Sequence, residues 1–182
     1  MQFALRFPER TEALVLLVPA AYAPGTSLTQ QDRLPRGTAL LFDVALRFDF
    51  LFWGAGKLAP RTFIRSILGT PPELVARAPA EEQARLQRLL DHIPPVSERR
   101  KGLLNDAIVM SPLPRYEVEK ITAPTLALST ADDLYGTYAG ARYTAEHVPG
   151  ARFVGYPTGG HMLVGRDASA TAEIAAFLRA AP

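Results

Sequence analysis

Three short apolar runs punctuate a chain that otherwise reads as helix. They are Ala13–Pro19 (ALVLLVP), Thr125–Ser129 (TLALS) and Arg152–Tyr156 (RFVGY). The first is too short for a typical helix and apolar without alternation, the pattern of a strand buried on both faces in a parallel sheet. A buried helical turn is the alternative reading of that run. Gln2–Phe7 has helical spacing, with Phe3, Ala4 and Phe7 on one face, and Pro8 ends it. It begins without a cap or turn, which suggests that the element continued upstream.

Ala20–Gly37 carries Pro24, Gly25, Pro35 and Gly37 and reads as a loop. Thr38–Ala59 is rich in apolar and aromatic residues, among them Phe48, Phe50, Phe52 and Trp53, and is predicted as one helix. Its aromatic run is expected either in a core or lining an apolar pocket. Pro60 starts a helix through Leu68, which Gly69 stops. Thr70-Pro-Pro-Glu73 has the spacing of a capping box. Leu86, Leu89, Leu90 and Ile93 form a helical stripe after Pro79. Pro94-Pro95 closes that helix, and Ser97 is the expected cap of another running to about Met110. Thr137–His147 and Ala168–Ala180 are the remaining helices, the last with Ile174, Phe177 and Leu178 on its buried side.

Strands alternating with helices predict a parallel α/β sheet, interrupted between its first two strands by an all-helical insertion. Ligands bind at the carboxyl ends of such strands. Asp132, Asp133 and His161 all fall there, directly after the second and third strands.

Composition changes this picture little. The 182 residues fit one domain, or one domain with a large insertion, and 48% hydrophobic with 21% charged residues is globular composition. A net charge of +2 with dispersed basic residues gives no nucleic-acid footprint. The absence of cysteine excludes disulfides, zinc–thiolate sites and Cys catalysis. The most apolar stretch, Thr38–Trp53, is broken by Asp43, Arg47 and Asp49 and is shorter than the roughly 20 residues of a membrane span. With no signal-peptide pattern at the N-terminus, a cytoplasmic location is expected.

Neighbouring parallel strands lie roughly 4.8 Å apart, so loops leaving the same ends can bring a carboxylate against an imidazole. The carboxylate fixes the ring tautomer, and the other ring nitrogen can then take a proton from a nucleophile. Gly159 and Gly160 let the backbone bring His161 close to a reacting group. The bland alternative for a lone histidine is a structural role. His92, His147 and His161 are scattered without metal-ligand spacing, so no metal site is expected. Tyr135 and Tyr138 are candidates for either packing or substrate contact.

The stretch Pro124–His161, PTLALSTADDLYGTYAGARYTAEHVPGARFVGYPTGGH, resembles the closing segment of α/β-hydrolase-fold enzymes. In that family the triad runs in the chain order Ser, acid, His. The resemblance implies Asp133 as the acid, with Asp132 the second choice, and His161 as the histidine. Thr130 stands where the family often has a glycine three positions before the acid. The resemblance further implies a partial α/β-hydrolase core at 1–24 and 115–182, three parallel strands with flanking helices, and a helical lid at 25–114. It implies hydrolysis of an ester or similar bond in a small apolar substrate, with no cofactor.

The family also needs a nucleophile elbow, G-x-S-x-G. The nearest pattern, Gly25-Thr-Ser27-Leu-Thr29, lacks the final glycine. Ser66, Ser97, Ser111 and Ser129 have no elbow context either. By this alignment the elbow and the oxyanion-hole donors precede Met1, which reads as an internal methionine. The expectation is the C-terminal portion of a serine-type hydrolase, inactive as this chain alone. A non-catalytic partial domain that binds an apolar ligand or partner chain is the alternative, and a fragment of a longer gene with no separate role is a third. Without a strand beside it, Leu14–Val18 is expected to offer an edge for self-association.

Overall fold

A computed structural model describes residues 1–25, 44, 46–110 and 114–181, with backbone only at 107–110. The first helix, α1 (Gln2–Arg6), leads through a turn of 3-10 helix at Pro8–Arg10 into β1 (Leu14–Leu17). A helical segment follows: α2 (Asp49–Leu58), α3 (Pro60–Ile67), α4 (Pro72–Arg77), α5 (Ala80–Asp91) and α6 (Val96–Met110). The chain then returns through β2 (Thr125–Thr130), α7 (Thr137–His147), β3 (Arg152–Tyr156) and α8 (Asp167–Ala180).

The three strands form one parallel sheet in the order β1-β2-β3. Leu14 sits opposite Thr125, and Leu126 opposite Arg152. Every residue of β2 is buried, because helices cover both of its faces. Ala127 meets Leu16 and the Ala141 and Ala145 side of α7. Leu126 and Leu128 point the other way, toward Ala170, Ile174 and Phe177 of α8. A central strand covered on both faces has no polar face to offer solvent, which is why TLALS shows no alternation. Among the described residues β1 and β3 are the edges, and Leu17 on β1 is 42% exposed.

Several local expectations give way to tertiary contacts. Thr38–Ala59 is not one helix: Val44 is helical, a turn at Leu46–Arg47 and an extended Phe48 interrupt, and the helix from Asp49 follows; positions 38–43 and 45, like most of the expected loop through Gly37, lie outside the described residues. Asp49 suits a helix start, where a carboxylate meets the free N–H groups. It also receives the backbone N–H (3.1 Å) and hydroxyl (2.6 Å) of Ser97, which hold it below the ordinary aspartate range. Ser97 therefore lies inside α6, and Asp49 of another helix serves that helix's amino end. The capping box at Thr70 does not form: the N-cap is Pro71, and the Thr70 hydroxyl is engaged elsewhere. Leu178 is half exposed rather than buried. Of the aromatic run, Phe52 is core, against Phe63 at 4.8 Å, whereas Phe48, Phe50 and Trp53 face outward. No described helix is long and apolar enough to cross a membrane.

Two glycines test this packing in opposite directions. A Cβ on Gly140 would lie 2.2 Å from the Ala21 carbonyl oxygen, whereas one on Gly102 would meet nothing within 4 Å. Gly140→Ala is expected to cost about 2–3 kcal/mol through overpacking. Gly102→Ala is expected to gain up to about 1 kcal/mol from helix propensity. Urea unfolding midpoints of the two variants check this, and equal shifts would contradict the placement of α7 against Ala21.

Candidate active site

Strand β2 ends at Thr130, and the next turn carries Asp132 and Asp133 at the carboxyl edge of the sheet. Strand β3 ends at Tyr156, and the loop after it carries His161. Because the strands are adjacent and parallel, both turns leave from the same end. His161 Nδ1 lies 2.9 Å from Asp133 Oδ2. A carboxylate oxygen only accepts, so Nδ1 is the protonated ring nitrogen. Nε2 makes no hydrogen bond among the described residues, and the His161 side chain is 21% exposed while that of Asp133 is fully covered.

Asp133 is satisfied on both oxygens. Oδ1 accepts the Tyr135 backbone N–H at 2.8 Å. Oδ2 accepts the Thr137 hydroxyl as well as the imidazole. Since Thr137 has spent its proton on Asp133, the Ser129 hydroxyl, 2.9 Å away, donates to Thr137. The result is a buried line of hydroxyl, hydroxyl, carboxylate and imidazole.

Asp132 has a different task. Its Oδ1 accepts the Gly160 N–H at 2.8 Å, and Thr130 Oγ1 donates to the Gly160 carbonyl at 2.9 Å. Asp132 thus shapes the loop that presents His161 and does not touch the ring. The loop turns through positive φ at Gly160 (60°) and at Leu163 (53°). Positive φ is rare for a branched apolar residue, and burial of Leu163 against Leu126 and Leu128 holds it.

The helical segment reaches the same site. The Gly69 carbonyl accepts from Leu134 N (2.9 Å) and His161 N (3.2 Å). The Thr70 hydroxyl accepts from Met162 N at 3.2 Å and donates to Leu68 O at 2.8 Å. Arg85, paired with Glu82, donates to Met162 O at 2.8 Å. Tyr135 stands edge-on to the His161 ring at 4.7 Å, and its hydroxyl donates toward the Ser66 and Ile67 carbonyls at 3.0 and 2.9 Å. Tyr138 packs instead on Phe153.

Sequence reading missed Gly69, Thr70, Thr137 and Ser129. Thr137 left a usable signal, four residues past the acid and opening a helix. Gly69 and Thr70 left none, since Thr70 meets a partner 92 residues away. Among the serines, Ser129 is buried against Thr137, Ser97 is bound to Asp49 and Ser169 to the Arg166 carbonyl. No described serine hydroxyl bonds the His161 ring; Ser27 and Ser111 lie outside the described residues. Among the described residues no cluster of ligands suits a metal ion.

No protein-family model and no curated protein matches the chain. Solved structures do. A hydrolase from Pseudomonas aeruginosa PA01 is similar at a TM-score of 0.59 and 21% identity, over 97% of this chain and 59% of that one. An α/β-hydrolase fold protein from Nakamurella multipartita gives 0.56 and 17%, over 98% and 64%. An esterase from Exiguobacterium antarcticum gives 0.56 and 19%, over 97% and 62%. The chain has the fold of the α/β-hydrolase family, in part: it spans about three fifths of the length of these structures.

Burial, and then the charge of Asp133, push the Tyr135 phenol up to about 12. The folded chain therefore keeps this proton where the unfolded chain, near 10, has released it. The contribution is complete below pH 10 and is lost as pH rises through 12. Tyr135→Phe removes it. Between pH 10 and 12 the native protein is expected to lose roughly 2–3 kcal/mol more stability than the variant. Denaturant titrations across that window measure the difference, and parallel curves would contradict a buried phenol.

Proposed function

We propose that Asp133 and His161 are the acid and base of a Ser-His-Asp hydrolytic centre, and that the chain is the portion of the enzyme carrying them. The single observation that supports this reading is the 2.9 Å bond from His161 Nδ1 to the buried Asp133 carboxylate, with Nε2 left for a substrate-side proton. Solved structures of the same fold that are described as a hydrolase and an esterase add to it.

In this reading Nε2 accepts the proton of a hydroxyl nucleophile as its oxygen bonds to the acyl carbon. Asp133 stabilises the imidazolium that results. The same proton then passes to the leaving group as the ester bond breaks, and a water repeats the cycle to free the acid. The nucleophile comes from a strand that pairs with the free side of β1, carrying a G-x-S-x-G turn. The helical segment is the lid, 25–114, over a core made of 1–24 and 115–182. It carries a cavity of about 330 Å³ walled mainly by Phe52, Trp53, Phe63, Ile64 and Leu90, with Lys57, Gln87 and Asp91 also in its lining and His161 outside it. The aromatic wall and the exposed Phe50 and Trp53 are in keeping with a small apolar substrate. They equally support a second reading, in which the chain binds an apolar ligand or partner without catalysis.

The 182-residue chain is expected to leave fluorophosphonate probes unreacted at every serine and to hydrolyse no aryl ester. An in-frame extension encoding a strand, G-x-S-x-G and a helix should restore labelling. In that longer polypeptide His161→Ala should lower kcat by on the order of 10⁴-fold or more. A probe adduct on a serine of the shorter chain would overturn the assignment, and a stop codon just upstream of Met1 would favour the binding reading.

No described residue pairs with the outer side of β1, which predicts association. In a parallel pair alternate N–H groups face one neighbour; Leu14 and Val18 donate toward β2, so Val15 and Leu17 point theirs away from it. Sedimentation of the chain should reveal dimers or larger species that Leu17→Lys reduces. A monodisperse, cooperatively melting monomer would count against it.

A further inference from the structure

The turn that links α3 to α4 does more than stop a helix. Its residues bond to both halves of the Asp133–His161 pair without touching the bond between them. One carbonyl, Gly69 O, accepts from Leu134 N at 2.9 Å and His161 N at 3.2 Å. It thereby ties the residue after the acid to the histidine itself. The Thr70 hydroxyl, fully buried, takes the next amide of the histidine loop, Met162 N. The Tyr135 hydroxyl closes the circuit from the acid turn back to Ser66 and Ile67. Two glycines make the approach possible. A Cβ on Gly69, at φ +53°, would fall 2.7 Å from the Tyr135 ring, and one on Gly160, at φ +60°, would fall 2.6 Å from Thr70 Cγ2.

We propose that Gly69 and Thr70 are positioning residues for this pair: their carbonyl and hydroxyl hold the acid turn and the histidine loop in one frame, and so keep His161 in the Nδ1–H tautomer. The proposal rests on the reading of Asp133 and His161 as a proton-handling pair. Hydrogen bonds weaken steeply once distance and angle leave a narrow range. Strand pairing ends at Thr130 and Tyr156, and Thr130 and Asp132 then tie the two turns at Gly160, one residue short of the histidine. The Gly69 and Thr70 bonds are the ones that reach His161 N and Met162 N themselves, and they belong to the helical segment. Displacement of that segment would then release the imidazole tautomer, which makes the segment part of the base's control.

The test uses the full chain labelled with ¹⁵N-histidine, read by NMR where the imidazoles are neutral. His92 and His147 serve as internal references, since each holds its Nδ1 against a backbone carbonyl, Arg88 O at 2.6 Å and Tyr143 O at 2.8 Å. Wild-type His161 is expected as the Nδ1–H tautomer. Thr70→Val should shift it toward Nε2–H and speed exchange of the Met162 amide about tenfold, as loss of one buried hydrogen bond would. The references should stay unchanged, and Thr70→Ser should restore the native pattern. Should Thr70→Val fail to fold, Thr70→Ala, which removes the same hydroxyl and leaves room for the side chains around it to relax, carries the same test. A folded Thr70→Val, or in its place a folded Thr70→Ala, with an unchanged His161 tautomer overturns the proposal. Asp133→Ala separates the two claims: if it leaves the tautomer unmoved, the pair reading falls and the positioning role falls with it; if it moves the tautomer while the turn variants do not, only the positioning role falls.

Discussion

A carboxylate with no solvent exposure is the constraint the rest of the site answers to. Burying such a group without partners costs several kcal/mol or more, and water cannot supply what the fold omits. Asp133 is instead met from three directions: the Tyr135 amide of its own turn, the Thr137 hydroxyl of the helix that follows, and the imidazole from the loop after β3. Each donor must arrive with the right geometry for the fold to close. The arrangement thus couples α7, the β2 turn and the histidine loop into one unit. The tautomer of His161 follows from it, because only an N–H can meet that oxygen.

The parallel sheet supplies the coarse placement. Two strands in register deliver their following turns to one edge, and β2, buried on both faces, gives that edge a fixed origin. The fine placement is shared between Asp132 and Thr130, which hold Gly160, and residues 66–85, far away in the chain. Gly69, Thr70 and Arg85 all bond to backbone within the histidine loop. Leu68, Val75 and Leu86 share a core with Val164 of that loop. The helical segment is therefore built into the site's wall through these bonds and this core.

What the sequence disclosed and what it withheld divide along contact range. The strands were legible because each is a short apolar run bounded by proline, glycine or polar residues, and strand ends told where Asp133 and His161 would stand. Helix interiors were legible from their stripes. Caps were not: Ser97 and Thr70 have the chemistry of helix-start residues, but Asp49 takes the donors of one and Met162 the acceptor of the other. Leu178 has the right spacing to be buried, yet it borders an open cleft with Met1, Phe3 and Leu14 and stays half exposed. Local propensity is a weak prior wherever a distant partner offers a stronger bond. Gly69 is the clearest case, since any helix-stop reading explains its type while saying nothing of the two amides it serves.

The orientation of His161 does not depend on what meets its second ring nitrogen. Every group that orients His161, from Ser129 to Gly69, lies within the described chain, and none of them depends on what faces Nε2. The energy of orientation is thus met by folding, and not drawn from substrate binding. The proposed role as a general base requires this, since interactions formed only at the moment of reaction would carry an ordering cost there. The imidazole is thus set in one tautomer while a fifth of its side chain stays exposed and Nε2 makes no hydrogen bond among the described residues, so the proposed role as a base asks for no rearrangement of the groups that hold it.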